Sequence, residues 1–181
     1  MVQYKAPVKD IKFLMNDVYN FQEHYQTIPG GDEATPEMVD MILEAAASFS
    51  EDVVAPLYQS GDDGCTFDNG EVTTPKGFKE AYAQYVEGGW QSMATPVEYG
   101  GQGLPMSLAL AKSEMIGTAN WSWGMYPGLS LGAMNTIWMH GTEEQKQEFF
   151  VPLSDGRWMG TMCLTEPQCG TDLGQVKTKA E

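Results

Sequence analysis

The sequence is poor in basic residues, and this scarcity excludes several classes of protein. Its 181 residues contain 10 Lys and Arg against 25 Asp and Glu, a formal net charge of −15. Nucleic-acid binding needs the opposite sign of charge, and so does binding to an anionic membrane surface. The sequence also lacks an apolar run long enough to span a membrane and the apolar core of a signal peptide. We therefore expect a cytoplasmic protein with no membrane span that binds no nucleic acid.

Cysteine and histidine are too sparse for a disulfide framework or a metal site. The number of cysteines is odd, and their spacing is not that of metal ligands; they are Cys65, Cys163 and Cys169. His24 and His140 lie more than a hundred residues apart, and neither is framed by carboxylates or cysteines. His140 is interpreted as a cation at the C-terminus of a helix, where the helix dipole favours it. The sequence predicts no metal site and no nucleophilic triad.

The first half of the chain contains two amphipathic helical patterns. Apolar residues recur at helical spacing over residues 8–21. Thr35, Pro36 and Glu37 then supply a capping hydroxyl, a proline at the first helical position and an acid near the positive helix end. The helix that starts there is predicted to end at Pro56. Its expected buried stripe is Met38, Met41, Ile42, Ala45, Ala46, Phe49 and Val53.

Four further helices are predicted from residue 74 onward. A Thr-Pro pair at 74–75 repeats the start signal, and Pro105 opens another helix. Segment 121–141 is apolar with small residues throughout, which favours a helix buried on nearly every side. Thr142 and Gln145 have the spacing of a capping box for a last helix.

The end of the chain changes from helical to β patterning. Residues 157–165 favour a strand, residues 176–181 begin another, and the Gly- and Asp-rich segment 58–75 is predicted to be a polar loop. Because a lone pair of strands is marginal in water, we expect a truncated piece of a longer protein. The predicted organisation is an extension with a short helix (1–35), a helical domain (36–156) and the start of a β domain (157–181).

The stretch MCLTEPQCGTDLG, residues 162–174, is the strongest candidate for a binding loop. Thr165 and Thr171 supply neutral hydroxyls, Gly170 permits close approach of backbone to a ligand, and Pro167 stiffens the exit from the predicted strand. Such a loop suits a flavin edge or a pyrophosphate better than a metal. An ordinary capped loop is the alternative that the residues alone leave open.

In combination, these motifs resemble those of the acyl-CoA dehydrogenase family. MCLTEPQCGTD is similar to the family's first signature, usually Leu/Val-Thr-Glu-Pro-x-x-Gly-Ser-Asp, with Thr171 in place of the usual serine. The segments PVEYGGQGLP, GLSLGAMNTIWMHGTEEQKQEFFVPLSDGRWMG and VKTKAE agree in order and spacing, so the similarity covers residues 39–181. The leading YKAPVKDIKFLMNDV resembles an extra N-terminal segment found in a C-terminally extended branch of the family.

The resemblance implies a mainly α fold and a set of binding residues. The chain would be the N-terminal helical bundle of the acyl-CoA dehydrogenase fold, followed by the opening strands of the middle β-barrel domain. FAD would lie between that barrel and a C-terminal four-helix bundle. The implied flavin contacts are Met162, Cys163, Leu164 and Thr165. Gly170 and Thr171 would approach the FAD pyrophosphate or the acyl-CoA, and the acyl tail would enter near Tyr126 and Leu131.

The resemblance also implies a reaction. A family member removes the α-proton of an acyl-CoA with a glutamate while a β-hydride passes to the flavin, giving a trans-enoyl-CoA, and the electrons leave to an electron-transferring flavoprotein. The family's catalytic base lies in the C-terminal bundle. The resemblance implies a structural role, and not a catalytic one, for Glu166. We therefore expect that this chain contains no catalytic residue and that the fragment is inactive. We also expect the full-length protein to be a homo-oligomer.

Two alternative functions stay open. An acyl-CoA oxidase would pass the electrons to oxygen, and rapid peroxide formation by the reduced full-length protein would identify it. A non-catalytic helical module that binds a partner would end near Glu181, whereas the enzyme's reading frame continues into a barrel and a second helical bundle. The unfinished strand at residues 176–181 disfavours the module.

Overall fold

Helices make up most of the computed structural model, which describes residues 3–179. The α-helices of this part of the chain are α1 (Val8–Phe13), α2 (Phe21–Tyr25), α3 (Pro36–Ser48), α4 (Tyr58–Asp63), α5 (Phe78–Glu87), α6 (Met106–Ala119), α7 (Trp121–His140), α8 (Glu143–Gln145) and α9 (Val151–Ser154). Tighter or wider helical turns continue some of them, at Leu14–Val18, Phe49–Val54, Ala55–Leu57 and Lys146–Phe150. Within residues 3–179, no helix combines the length and the apolarity needed to cross a membrane.

The core forms where α3 packs on α6 and α6 packs on α7. The cluster between α1, α3 and α6 includes Ile11, Met15, Tyr25, Val39, Leu43, Ala46, Met93, Leu108 and Met115. The cluster between α5, α6 and α7 consists of Val54, Phe78, Ala81, Tyr85, Ile116, Ala119 and Trp123. The cluster beneath the C-terminal half of α7 consists of Tyr99, Met134, Phe150 and Leu153.

The helix that begins at Pro36 buries a different stripe from the predicted one. Its buried side chains are Val39, Leu43, Ala46, Ala47, Ser50 and Val54. Of the predicted stripe, Ala46 is buried, whereas Met38 and Met41 are exposed. The segment has apolar residues on two neighbouring stripes, and the packing partner α6 decides which one faces inward. Pro56 does not end the helical run, because it lies in the first turn of Ala55–Leu57, where a missing amide costs no hydrogen bond.

The expectation that α7 is buried on nearly every side is wrong for the described residues. One stripe is buried, formed by Trp123, Pro127, Ser130 and Met134. The side chains of Trp121 and Met139, by contrast, are 68% and 69% exposed. Hydropathy alone could not reveal this, because it reports how apolar a helix is and not which elements cover it.

The strand prediction for residues 157–165 is wrong, and so is the loop prediction for residues 58–75. Residues 157–165 and 176–179 form no strand, because no neighbouring strand in the described chain completes a ladder with them; residues 180–181 lie outside the described residues. Segment 58–75 contains α4 and an antiparallel hairpin of β1 (Thr66–Asp68) and β2 (Glu71–Thr73). The Asn-Gly pair at 69–70, with φ of 50° and 86°, makes the hairpin turn.

Capping chemistry located most helix ends correctly. The Thr35 side chain accepts a hydrogen bond from the Met38 amide, and the capping box of Thr142 and Gln145 is present. The helix predicted to start at the Thr-Pro pair 74–75 begins three residues later, because α5 starts at Phe78. The helix predicted over residues 8–21 ends at Val18, because Asn20 takes a left-handed conformation with φ of 46° before α2 begins at Phe21.

Asn120 is the cap that joins α7 to the core. It is 1% exposed, and its Oδ1 accepts hydrogen bonds from the Trp123 amide at 3.2 Å and the Ser122 hydroxyl at 2.9 Å. Its Nδ2 donates to the Val54 carbonyl at 3.4 Å. One side chain therefore satisfies the first turn of α7 and the end of the helical run from α3.

Replacing Asn120 by alanine should destabilise the protein. Asn120→Ala removes the cap and leaves buried groups unsatisfied, so we expect the free energy of unfolding to fall by about 2–3 kcal/mol. Thr142→Ala, at an exposed cap, should cost about 1 kcal/mol or less. Urea unfolding followed by circular dichroism measures both. Equal losses in the two variants would contradict the joining role of Asn120.

Candidate functional site

An apolar groove runs along α7 beside the segment that follows α9. Its volume is about 510 Å³. The helix contributes Ser122, Met125, Tyr126 and Leu129 to its lining. The opposite wall comes from Gly61, Gly64, Cys65, Pro75, Phe78, Met159, Gly160 and Thr161. With so few polar groups, this groove, called the α7 groove below, suits an apolar chain better than a polar ligand.

Tyr126 is the aromatic residue that α7 contributes to the groove. Its ring packs edge-on against Phe78, with ring centroids 5.8 Å apart. Partial burial raises the pKa of the Tyr126 hydroxyl, and the neighbouring Cys65 thiol raises it further. The tyrosine therefore stays neutral at physiological pH and offers an uncharged wall to a ligand.

Gly160 is held directly against α7. Its amide donates to the Ser130 hydroxyl at 3.0 Å. A Cβ at this position would lie 2.8 Å from the Ala133 Cβ and 3.0 Å from the Ser130 Cα, so only glycine allows the contact. The contact fixes the start of the segment that carries the predicted flavin-binding residues.

A second apolar surface lies where this segment passes α7. Met162, Cys163 and Leu164 line a groove of about 420 Å³ together with Gly128 and Gly132 of the helix. A Cβ on either glycine would meet no atom within 4 Å, so this face of α7 is open. The next loop residues, Thr165, Gly170 and Thr171, are exposed.

The structure brings together only part of the predicted site. Tyr126 lines the α7 groove, and the Met162–Leu164 segment lies alongside it. Leu131 lines different cavities, between α7 and α6, and so lies apart from Tyr126. Gly170 and Thr171 follow the turn made by the paired residues Glu166 and Cys169.

Glu166 organises the loop after Thr165. Its carboxylate accepts hydrogen bonds from the backbone amides of Lys177, at 3.0 Å, and Thr178, at 2.9 Å. Hydrogen bonds from Thr178 and then Lys177 lower the pKa of Glu166 to about 2. A carboxylate that holds its charge so firmly is a poor general base at neutral pH, which agrees with a structural place for this residue.

Sequence analysis missed a buried lysine in α6. Lys112 is 3% exposed, and its Nζ donates to the Tyr85 hydroxyl at 2.7 Å and the Trp90 carbonyl at 3.3 Å. Burial lowers the pKa of Lys112 to about 8. The available signal was spacing, because Lys112 follows Leu108 by four residues and precedes Ile116 by four, which places it on the core stripe.

The remaining polar candidates do not assemble into a metal site. Among residues 3–179, no three His, Cys, Asp or Glu side chains come close enough to hold a metal ion. Cys65, Cys163 and Cys169 are free thiols. His140 is the last residue of α7, so its predicted place at a helix C-terminus is confirmed.

Comparison with known proteins assigns the family. Residues 36–157 match the model of the acyl-CoA dehydrogenase N-terminal domain. The chain therefore belongs to the acyl-CoA dehydrogenase family, as its motifs predicted.

Individual relatives agree with this assignment. Over 98% of its length the chain is 38% identical to 3-methylmercaptopropionyl-CoA dehydrogenase of Ruegeria pomeroyi, of which it covers 30%. Butyryl-CoA dehydrogenase of Megasphaera elsdenii is 26% identical with a TM-score of 0.64, and the match covers 80% of this chain and 36% of that one.

A further structural relative comes from work on the electron transferring flavoprotein of Acidaminococcus fermentans and flavin-based electron bifurcation. It is 27% identical with a TM-score of 0.61, and the match covers 76% of this chain and 34% of that one. The chain thus spans about a third of the length of the relatives it matches.

The buried charge of Lys112 predicts an unusual dependence of stability on pH. An unfolded lysine keeps its proton up to about pH 10.5, whereas folded Lys112 releases it near pH 8, so stability rises with pH between these values. Between pH 7.5 and 9.5 we expect the free energy of unfolding to rise by about 2 kcal/mol. Lys112→Met should remove this rise, and Lys9→Met, at an exposed lysine, should retain it. A rise that survives in Lys112→Met would contradict the assignment.

The hydrogen bonds of Glu166 predict which amides depend on it. Glu166→Gln should accelerate hydrogen exchange at the amides of Lys177 and Thr178 several-fold, because a neutral amide oxygen accepts more weakly than a carboxylate. Asp172→Asn alters a carboxylate that contacts Gln175 instead, and should leave both amides unchanged. Exchange followed by NMR above pH 5 makes the comparison. Unaltered exchange in Glu166→Gln would show that the loop forms without this contact.

Proposed function

We propose that this chain is the N-terminal helical part of an FAD-dependent acyl-CoA dehydrogenase that oxidises an acyl-CoA thioester to the trans-enoyl-CoA. The observation that carries the proposal is the α7 groove, whose wall leads into the Met162–Leu164 segment of the family signature. In this proposal residues 36–156 form the helical domain, residues 1–35 precede it, and the middle β domain starts at residue 157.

The α7 groove would hold the acyl tail. Its apolar lining offers burial to methylene groups, and each buried methylene contributes about 0.8 kcal/mol. Tyr126 and Leu129 would form one wall, with Met159 opposite them. Leu131 would act only through the packing of α7 on α6, because it lines the other side of the helix.

FAD would lie against the segment that leaves the groove. FAD supplies the acceptor for a hydride when it is bound. Met162, Cys163 and Leu164 would contact one face of a planar ring, since they line a groove together with the open surface of Gly128 and Gly132. Thr165 would donate its hydroxyl to the ring system. Gly170 and Thr171 would approach the pyrophosphate or the acyl-CoA, because both are exposed on the loop that Glu166 organises.

The proton-abstracting base would come from outside this chain. Glu166, the glutamate of the signature, is engaged by the backbone amides of Lys177 and Thr178. This chain would therefore bind and orient the acyl tail, shield it from water and position one face of the flavin. On its own it would be inactive.

We further propose that electrons leave to an electron-transferring flavoprotein and that the full-length protein is a cytoplasmic homo-oligomer. The likeness to a chain studied with such a flavoprotein supports the first part. The acidic surplus of the sequence keeps the exposed surface strongly hydrated, which suits a protein free in aqueous solution.

The direct test uses the full-length protein encoded by the same reading frame. Its visible spectrum should show bound flavin, and anaerobic addition of saturated acyl-CoA thioesters should bleach it. A flavin that no thioester bleaches would overturn the reaction, and a protein that binds no added FAD would overturn the cofactor. Rapid peroxide formation in air would identify an oxidase instead.

Narrowing the α7 groove should change the preference for chain length. Met125→Trp places a larger side chain on the groove wall, so KM for the longest accepted acyl-CoA should rise about tenfold or more, with little change for the shortest. Met139→Trp makes the same exchange on the same helix away from the groove, and should leave both constants unchanged. A Met125→Trp enzyme with unaltered chain-length preference would place the acyl tail elsewhere.

A further inference from the structure

A small cavity lies on the other side of α7, between this helix, α6 and residues 90–96. Its volume is about 130 Å³. Most of its lining is apolar, including Met93, Ala109, Leu131, Met134, Trp138 and Phe150. Three buried polar residues, Gln91, Thr95 and Lys112, complete the wall, and the cavity shares no lining residue with the α7 groove.

Lys112 brings a positive charge to this wall without a partner of opposite charge. Its hydrogen bonds go to two neutral oxygens, the Tyr85 hydroxyl and the Trp90 carbonyl. No carboxylate of residues 3–179 pairs with it, and Tyr85 is the titratable side chain in contact with its Nζ. An ammonium group carries three hydrogens, so one is left to donate. A buried charge in this position favours an anion beside it.

Gln91 brings an unsatisfied acceptor to the same wall. The residue is 4% exposed, and its Nε2 lies 3.6 Å from the Met134 sulfur. Its Oε1 has no hydrogen-bond donor among the described residues. A buried carbonyl oxygen without a donor is costly, so a group that enters this cavity gains by supplying a hydrogen.

We propose that this cavity binds a small hydroxycarboxylate, whose carboxylate pairs with Lys112 and whose hydroxyl donates to Gln91. Lys112 favours an anion and the Gln91 oxygen favours a hydrogen-bond donor, so a molecule that carries both groups satisfies the pair. Water supplies the donor without the charge, and acetate supplies the charge without the donor. The apolar lining fits a methyl or methylene group, which selects a hydroxycarboxylate over bicarbonate. A volume of 130 Å³ accommodates a molecule the size of lactate, since a water occupies roughly 30 Å³.

The test compares three probes that differ by one group each. Isothermal titration at pH 8 with lactate, acetate and ethylene glycol should give binding in that order. Acetate should bind about tenfold more weakly than lactate, because it cannot satisfy Gln91, and ethylene glycol should not bind. Titration in buffers of different ionisation enthalpy should also show proton uptake with lactate, because an anion beside Nζ favours the ammonium form.

Variants connect the binding to the two residues. Lys112→Met should abolish lactate binding and its proton uptake, and Lys9→Met should leave both unchanged. Gln91→Leu should make lactate and acetate bind equally. Circular dichroism verifies that each variant is folded. Failure of lactate to bind the wild-type protein, or binding that survives in Lys112→Met, would overturn the site; a lactate preference that survives in Gln91→Leu would overturn the hydroxyl contact.

Discussion

The burial of Trp123 in the first turn of α7 is the contact on which the rest of the structure depends. Its indole nitrogen donates to the Phe78 carbonyl at 3.3 Å, and its ring packs edge-on against Tyr85 and Phe49. One side chain thus connects α7 to α5 and to the helical run that continues α3. Because this end of α7 is fixed, Tyr126 is held against Phe78 and forms the wall of the groove one turn further on.

A single helix separates two cavities with opposite chemistry. The α7 groove is apolar and suits a hydrocarbon chain. The cavity on the α6 side carries Lys112 and Gln91 in an apolar lining, which suits a small charged molecule. The two cavities can coexist because the buried stripe of α7 is narrow, which leaves other faces of the helix to line them.

Local chemistry could be predicted from the sequence, and packing could not. Thr35 and Thr142 mark helix starts because a cap depends on residues within one turn. The buried stripe of α3 needed its partner α6, and a strand at 157–165 needs neighbouring strands. The signature residues Met162–Leu164 were found through family resemblance, and the structure places them beside α7. The burial of Lys112 was not predicted, because a lysine on a core stripe can also extend its charged group to solvent.

The central claim is that the face of α7 that carries Tyr126 receives the acyl tail and that the adjoining signature segment receives the flavin. A crystal structure of the full-length protein with FAD and a bound acyl-CoA analogue tests it most directly. The acyl tail should lie in the α7 groove against Tyr126, and the flavin ring should contact Met162–Leu164. A tail bound away from α7, or a flavin remote from that segment, would contradict the account.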